Sequence, residues 1–480
     1  MIILMKEDFQ FNLEIGENSM SNVDLSNGSA TTEAAILNTL MYLGIDRLDA
    51  IDNVWDMKLI VDEFENYYGE TINIDNNTYI LSKFSIDQAA FYNRQKQFLT
   101  VKNATENNAH LSSMVIGNQS KNLRYDKAGL NACTFTDASG NITVVFRGTG
   151  SGEWIDNGEA LSGIAEVNTY HSYDHKGNIR ASYMVTEYAS DQQAQALNYF
   201  NQIAAKNEWT KKNNIIVTGH SKGGNKAQYI TLNSDLVDEC YSFNGQGFSP
   251  EALQSYKERY GKNYQYAVNK IYSFSAYNDY VNVLGDRAVP ADHIYCFEAP
   301  LGDQSTEKYH FINAMLSMDG GFNKQTEQGE LSKYLEMQSQ EIMRMDPQYR
   351  QYVTRGIMDI CQSLLGRGIP VNGDSVTEED MYKGIWIVIL PFIIDLLGTP
   401  QGNNTLELLA KTYGDDILSI IEAFYKQIGE EHGIMAETIA IIVTGYVIGY
   451  IAPILVTGVD TMIGVIWAIN AIEKMDSFLA

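Results

Sequence analysis

The sequence predicts an α/β domain with a mostly parallel sheet, followed by an all-helical domain. Between residues 130 and 297, short apolar runs of strand length alternate with segments of helical composition. Such alternation with short links favours a parallel sheet covered by helices. A G-x-S-x-G motif lies between a strand-like and a helix-like run at residues 213–225. After about residue 318 the strand patterns stop, which predicts the second domain.

Length and charge limit the organisation and the partners of the chain. Its 480 residues suffice for two or three domains, and we expect a polar leader at 1–32, an α/β domain at 33–325 and a helical domain at 326–480. The chain carries 34 Lys and Arg against 60 Asp and Glu, a net charge of −26. This balance argues against nucleic acid as a partner and against electrostatic adhesion to anionic membranes.

The N-terminus and the cysteines bear on the compartment. Only five apolar residues precede Lys6, too few for a cleavable signal peptide, so export would need another route. The cysteines show no spacing typical of a metal site. Cys133, Cys240 and Cys296 lie in apolar strand-like runs, which favours buried free thiols, whereas Cys361 lies in the helical region.

The elements of the first domain follow from periodicity. Apolar residues recur at helical spacing from Thr32 to Asp62, and the clusters at 79–81 and 91–92 predict further helices. Turn residues at 138–140 predict a hairpin, and Ser190 begins a capping box for a helix. The predicted strands are Leu130–Asp137, Asn141–Phe146, Ile215–Val217, Cys240–Phe243, Ile271–Ser275 and His293–Phe297.

The G-x-S-x-G motif places a serine on a tight turn. Ser221 follows a buried strand and precedes a helix, as in a nucleophile elbow, where bulky neighbours would clash. A serine nucleophile needs a base, a carboxylate that orients the base, and donors for an oxyanion. The backbone N–H of Lys222 and Thr149, at the end of another strand, are the predicted oxyanion donors.

The acid and the base are predicted from chain order. In a hydrolase sheet they follow the nucleophile at the carboxyl ends of later strands. Asp279 follows the strand that begins at Ile271 and is the predicted acid. His310 follows the last predicted strand and is the favoured base, with His293 as the alternative. We expect His220, inside the motif, to point away from the base.

Five ordered motifs resemble class 3 lipases, and in particular their bacterial Mbeg1-like branch. They are VVFRGTG (144–150), WID (154–156), VTGHSKGGNKA (217–227), YSFNGQGFS (241–249) and AYNDYVNVLG (276–285). The resemblance implies an α/β-hydrolase fold, a triad of Ser221, Asp279 and His310, and lipid esters as substrates. It also implies that Thr149 serves as an oxyanion donor through its hydroxyl and its backbone.

The order of domains resembles the type VII-secreted lipase toxins of Gram-positive bacteria. That resemblance implies phospholipase A activity, secretion without a cleavable signal peptide, and a C-terminal LXG-like targeting domain. It also implies small helical export partners on that domain and an immunity protein. The uncharged run at 438–459 fits either a helical hairpin buried against partners or a segment that inserts into a membrane.

The sequence leaves other functions open. The hydrolase could act on soluble esters, or the protein could perturb membranes or serve as a scaffold around a vestigial hydrolase. No redox or nucleotide cofactor is implied. A calcium ion could bridge the acidic protein to phosphate head groups, although the sequence has no EF-hand loop. If the domains are independent, a chain that ends near residue 325 should remain soluble and active.

Overall fold

A computed structural model describes residues 23–358 with internal gaps. The gaps are 46–47, 49, 69–70, 75–76, 81–87, 121–128, 151–152, 301–305, 349, 352–353 and 355–357. Most of the predicted leader and most of the predicted helical domain lie outside the described residues. The run at 438–459 and Cys361 are among them.

A mixed sheet forms the centre of the described chain. The strands are β1 Thr71–Ile74, β2 Asn77–Ile80, β3 Val115–Gly117, β4 Ala132–Thr136, β5 Ile142–Phe146, β6 Glu166–Tyr173, β7 Ile179–Glu187, β8 Ile215–His220, β9 Glu239–Phe243, β10 Ile271–Ala276, β11 Ile294–Phe297 and β12 Gln325–Thr326. Eight of them pair in the order β12-β11-β10-β9-β8-β5-β4-β3. The strands from β11 to β5 are parallel, and the outer pairs are antiparallel. The predicted α/β fold is confirmed.

Helices cover both faces of this sheet. They are α1 Ala30–Leu40, α2 Met57–Tyr68, α3 Gln88–Asn107, α4 Ala109–Ser113, α5 Trp154–Ser162, α6 Asp191–Lys206, α7 Lys222–Asn233, α8 Pro250–Tyr260, α9 Lys262–Val268 and α10 Glu330–Met343. Alternate strand residues enter opposite cores: Ile216 packs with α1 to α3, whereas Ile215 and Val217 pack with α6 to α9. Strands buried on both faces read as continuous apolar runs, as β8 does.

Several local predictions differ from the structure. The helical pattern from Thr32 to Asp62 contains two helices, α1 and α2, joined by a loop. Residues 79–80 lie in the β1–β2 hairpin rather than in a helix, because Tyr79 and Ile80 pair across to a second short run of β-branched residues. The β6–β7 hairpin was not predicted.

The structure after residue 318 also differs from the prediction. We expected no strand there, yet β12 pairs antiparallel with β11 at the edge of the sheet. α10, beyond it, contacts the loop that follows β10: Ser332 Oγ donates to the Asp279 carbonyl at 2.7 Å. Further on, the buried Arg350 forms an ion pair with Glu251 on α8. Contacts with the sheet domain therefore continue past residue 325.

Cys133, Cys240 and Cys296 lie in the interior as predicted. All three are buried and form no disulfide. Burial raises the pKa of Cys240 to about 12 and that of Cys296 to about 11, so both thiols stay protonated at neutral pH. In the part of the chain that the structure describes, no helix combines the length and apolarity needed to cross a bilayer.

Candidate active site

Ser221 occupies a strained turn between β8 and α7. Its backbone has φ 60° and ψ −128°, outside the usual regions for a residue with a Cβ. Gly219 and Gly223 make the turn possible, because a Cβ on Gly219 would collide with the backbone of Gly223, and one on Gly223 with the carbonyl of Phe146. The Ser221 N–H donates to the Phe243 carbonyl at 2.9 Å, which ties the turn to β9.

Asp279 and His310 are directly hydrogen-bonded. His310 Nδ1 lies 2.7 Å from Asp279 Oδ1, and the carboxylate is fully buried. The other carboxylate oxygen accepts the backbone N–H groups of Val281 at 3.2 Å and Asn282 at 2.7 Å. With the Asp279 carboxylate ionised, these bonds leave His310 Nδ1 as the donor and Nε2 as the nitrogen free to accept a proton.

The end of β5 approaches the serine. Gly148 packs so closely that an added Cβ would lie 3.0 Å from Ser221 Cβ and 2.9 Å from the His220 carbonyl oxygen. Thr149 follows, and its Oγ1 accepts the side-chain N–H of Asn157 at 2.9 Å. This bond leaves the Thr149 hydroxyl proton free to donate elsewhere. The role of Asn157 was not predicted, although it directly follows one of the motifs.

Lys222 contributes more than a backbone N–H. Its side chain is 1% exposed and forms an ion pair with Asp156 on α5 at 2.8 Å. Asp156 also accepts the Ser190 hydroxyl at 2.8 Å and the Gln192 N–H at 2.8 Å, so one carboxylate joins the starts of α5, α6 and α7. Leaving either charge of such a buried pair alone typically costs about 3–5 kcal/mol. The sequence showed both residues within motifs but not the pairing.

The prediction for His220 is wrong. Its ring lies 4.7 Å from that of His310, and its Nε2 is 2.6 Å from the His310 carbonyl oxygen. The loop that carries His310 lies against the C-terminal end of β8, so the His220 side chain faces His310 instead of pointing away from it. Burial, with His310 nearby, holds the pKa of His220 well below its ordinary value.

The alternative base lies elsewhere. His293 belongs to a short 3-10 turn before β11, at the opposite end of the sheet from Ser221. Its ring stacks on Tyr272 with centroids 4.2 Å apart, and Nδ1 lies 3.1 Å from the Ile271 carbonyl oxygen. His293 therefore has a packing role at the start of the strand.

No metal centre is evident where the chain is described: these residues contain no group of three or more His, Cys, Asp and Glu arranged to hold an ion. The calcium prediction stays untested.

The comparison with protein families bears on the centre of this site. A family described as Mbeg1-like matches residues 178–276, from the start of β7 to the end of β10, and this segment contains Ser221. No curated protein matches the chain. Over residues 178–276 the chain is thus similar to the Mbeg1-like family, which supports the family named from its motifs and is compatible with a lipase-like hydrolase.

Proposed function

We propose that the protein is a serine-dependent carboxylic ester hydrolase that acts on lipid esters. The observation that carries the proposal is the Asp279–His310 hydrogen bond of 2.7 Å. Asp279 follows β10 and His310 follows β11 in the chain. The His310 backbone contacts His220, the residue before the strained turn of Ser221. The carboxyl ends of parallel strands in α/β folds are where ligands commonly bind. The Mbeg1-like match supports the hydrolase class, and the resemblance to class 3 lipases supports lipid esters.

In the proposed reaction His310 acts as general base. Its Nε2 takes the proton of Ser221 Oγ while the oxygen attacks the ester carbonyl. Asp279 orients the imidazole and stabilises the imidazolium. His310 then gives the proton to the leaving alkoxide, and an acyl-enzyme remains. A water molecule, activated by the same nitrogen, attacks the acyl carbonyl and releases the fatty acid and the free serine.

The negative oxygen of each tetrahedral intermediate needs donors. We propose the backbone N–H of Lys222, at the start of α7, and Thr149 in this role. Support for Thr149 comes from the Asn157 N–H that its hydroxyl accepts, since the hydroxyl proton is then free. Donors aimed at the developing charge contribute more than those that bind only the ground state.

The proposed substrate and biological role rest on the order of the domains. We propose phospholipase A activity in a secreted antibacterial toxin, with residues 326–480 as the domain that binds small helical export partners and with an immunity protein to protect the producer. The support for this proposal is the order of a hydrolase-like domain followed by the apolar helical patterns after residue 385.

The test compares the parent with Ser221→Ala. Both residues carry a Cβ, so the strained backbone is unchanged and the fold should be retained. Loss of a triad nucleophile typically lowers kcat on the order of 10⁶-fold. We expect the parent to release fatty acid from phospholipid vesicles, measured by mass spectrometry, and the variant to release none above background.

Three other outcomes would change the proposed function. Equal or faster turnover of a soluble short-chain ester would favour a carboxylesterase over a lipase. Ser221→Ala activity within tenfold of the parent would exclude Ser221 as the nucleophile. An inactive parent on every ester would favour a vestigial hydrolase.

A further inference from the structure

The backbone carbonyl of His310 is held by two side chains from neighbouring strand ends. His220, the last residue of β8, places Nε2 2.6 Å from the carbonyl oxygen. Asn244, directly after β9, places Nδ2 3.1 Å from it. A carbonyl oxygen can only accept, so both side chains donate.

This fixes the tautomer of His220 and the direction of a longer chain of hydrogen bonds. With Nε2 as donor, Nδ1 of the neutral ring must accept. The Tyr42 hydroxyl, 2.7 Å away, donates to it. The Tyr42 oxygen in turn accepts the N–H of Gly148 at 3.1 Å. The chain therefore runs from the loop of Thr149 to the backbone of His310.

The surroundings of His220, Asn244 and Tyr42 favour these donor and acceptor assignments. Asn244 is 0% exposed and His220 4% exposed, so water has little access to these two side chains. The lowered pKa of His220 keeps its ring neutral, and burial raises the pKa of Tyr42 to about 12, which keeps its hydroxyl a donor.

Asn244 also ties this arrangement to the acid. Its Oδ1 accepts the N–H of Ala276 at 3.0 Å, at the end of β10 and three residues before Asp279. Its φ of 45° is one that Asn tolerates better than most residues. The amide orientation is fixed, because one partner is a donor and the other an acceptor.

We propose that His220, Asn244 and Tyr42 form a carbonyl clamp that positions His310 relative to Ser221. The path between nucleophile and base is then one peptide link and one hydrogen bond, since His220 is the residue before Ser221. Misplacement of a base by about 1 Å can cost on the order of 100-fold in rate. The clamp residues are positioning residues, and the inference rests on the proposed hydrolase function.

The test compares His220→Gln with His220→Leu in the full chain. Glutamine can present an N–H near the position of Nε2, whereas leucine fills similar space without a donor. We expect His220→Leu to lower kcat by about 10- to 100-fold with KM within about twofold, and His220→Gln to recover most of that loss. Tyr42→Phe, which removes one hydroxyl, should lower kcat several-fold.

A matched control is His293→Leu. It removes another imidazole that contacts a backbone carbonyl, at the far end of the sheet, and should leave kcat unchanged. Parent-like kcat in His220→Leu, equal losses in both His220 variants, or a loss confined to KM would each overturn the clamp. If His220→Leu fails to fold, Tyr42→Phe decides, and an unchanged kcat there overturns the proposal. An inactive parent instead overturns the proposed function, independently of the clamp.

Discussion

At the scale of single residues, the candidate site depends on side chains whose hydrogen bonds leave one donor or acceptor unused. His310 Nδ1 is bound to Asp279, which leaves Nε2 for the proposed proton transfer from Ser221. The oxygen of Thr149 accepts from Asn157, which leaves its proton free to donate to the proposed oxyanion. A single atom removed from such a site should therefore change the rate more than the stability.

Thr149 allows that expectation to be tested with two nearly isosteric variants. Thr149→Val replaces the hydroxyl by a methyl group, whereas Thr149→Ser keeps the hydroxyl. Loss of one oxyanion donor typically lowers kcat by about 10²–10³-fold. We expect that loss for valine, with little change in KM, and a much smaller loss for serine, in steady-state assays of ester hydrolysis. Parent-like kcat in Thr149→Val would leave the oxyanion to backbone donors alone.

The residues that could be predicted from sequence are those that follow strands. Ser221, Asp279, His310 and Thr149 are predicted from their order along the chain, and the structure brings Asp279 and His310 into contact and Gly148 beside Ser221. The contact between Tyr42 and His220 spans 178 residues of sequence, and no local pattern indicates it. Sequence order thus predicted which loops meet, but not which supporting side chains touch.

At the scale of elements, periodicity predicted the long buried strands better than the short or exposed ones. β8 and β10 are buried on both faces, and their apolar runs were recognised. The strands of the β6–β7 hairpin are largely exposed on β7, so their residues are mixed and gave no strand pattern. β12 has two residues, too few for any periodicity.

The contacts of α10 bear on where the catalytic domain ends. Besides the bond from Ser332 to Asp279, the Gly285 N–H donates to Ser339 Oγ at 2.9 Å. Arg287, in the same loop, forms an ion pair with Glu336 at 3.1 Å. α10 therefore supports the loop that carries the proposed acid.

We expect a chain that ends at residue 325 to lose activity and thermal stability, and one that ends at 358 to keep both. The shorter chain lacks α10 and leaves the buried Asp279 carbonyl without its hydroxyl donor. Ser332→Ala in the full chain isolates that bond and should lower the free energy of unfolding by about 1 kcal/mol. Thermal melts and ester hydrolysis measure both effects. Equal activity of the two truncated chains would show that α10 is dispensable.

At the scale of the whole molecule, the net negative charge disfavours binding to anionic lipid surfaces. A net charge of −26 repels anionic vesicles, whereas zwitterionic vesicles exert no such force. Salt shortens the range of this repulsion, from a Debye length of about 30 Å at 0.01 M to about 8 Å at 0.15 M. If lipid esters are the substrate, added salt should therefore ease the approach of the protein to anionic surfaces and have little effect on its approach to zwitterionic ones.

We expect fatty-acid release from anionic phosphatidylglycerol vesicles to rise as NaCl increases from 0.01 to 0.15 M, on the order of several-fold, because screening weakens repulsion of the acidic protein. Release from phosphatidylcholine vesicles should change little, and Ser221→Ala supplies the background for both. Calcium chloride at matched ionic strength separates bridging from screening, since only a bridging ion raises the anionic rate above the NaCl value. A rate on anionic vesicles that falls with salt would mean that a local basic surface, rather than net charge, governs docking.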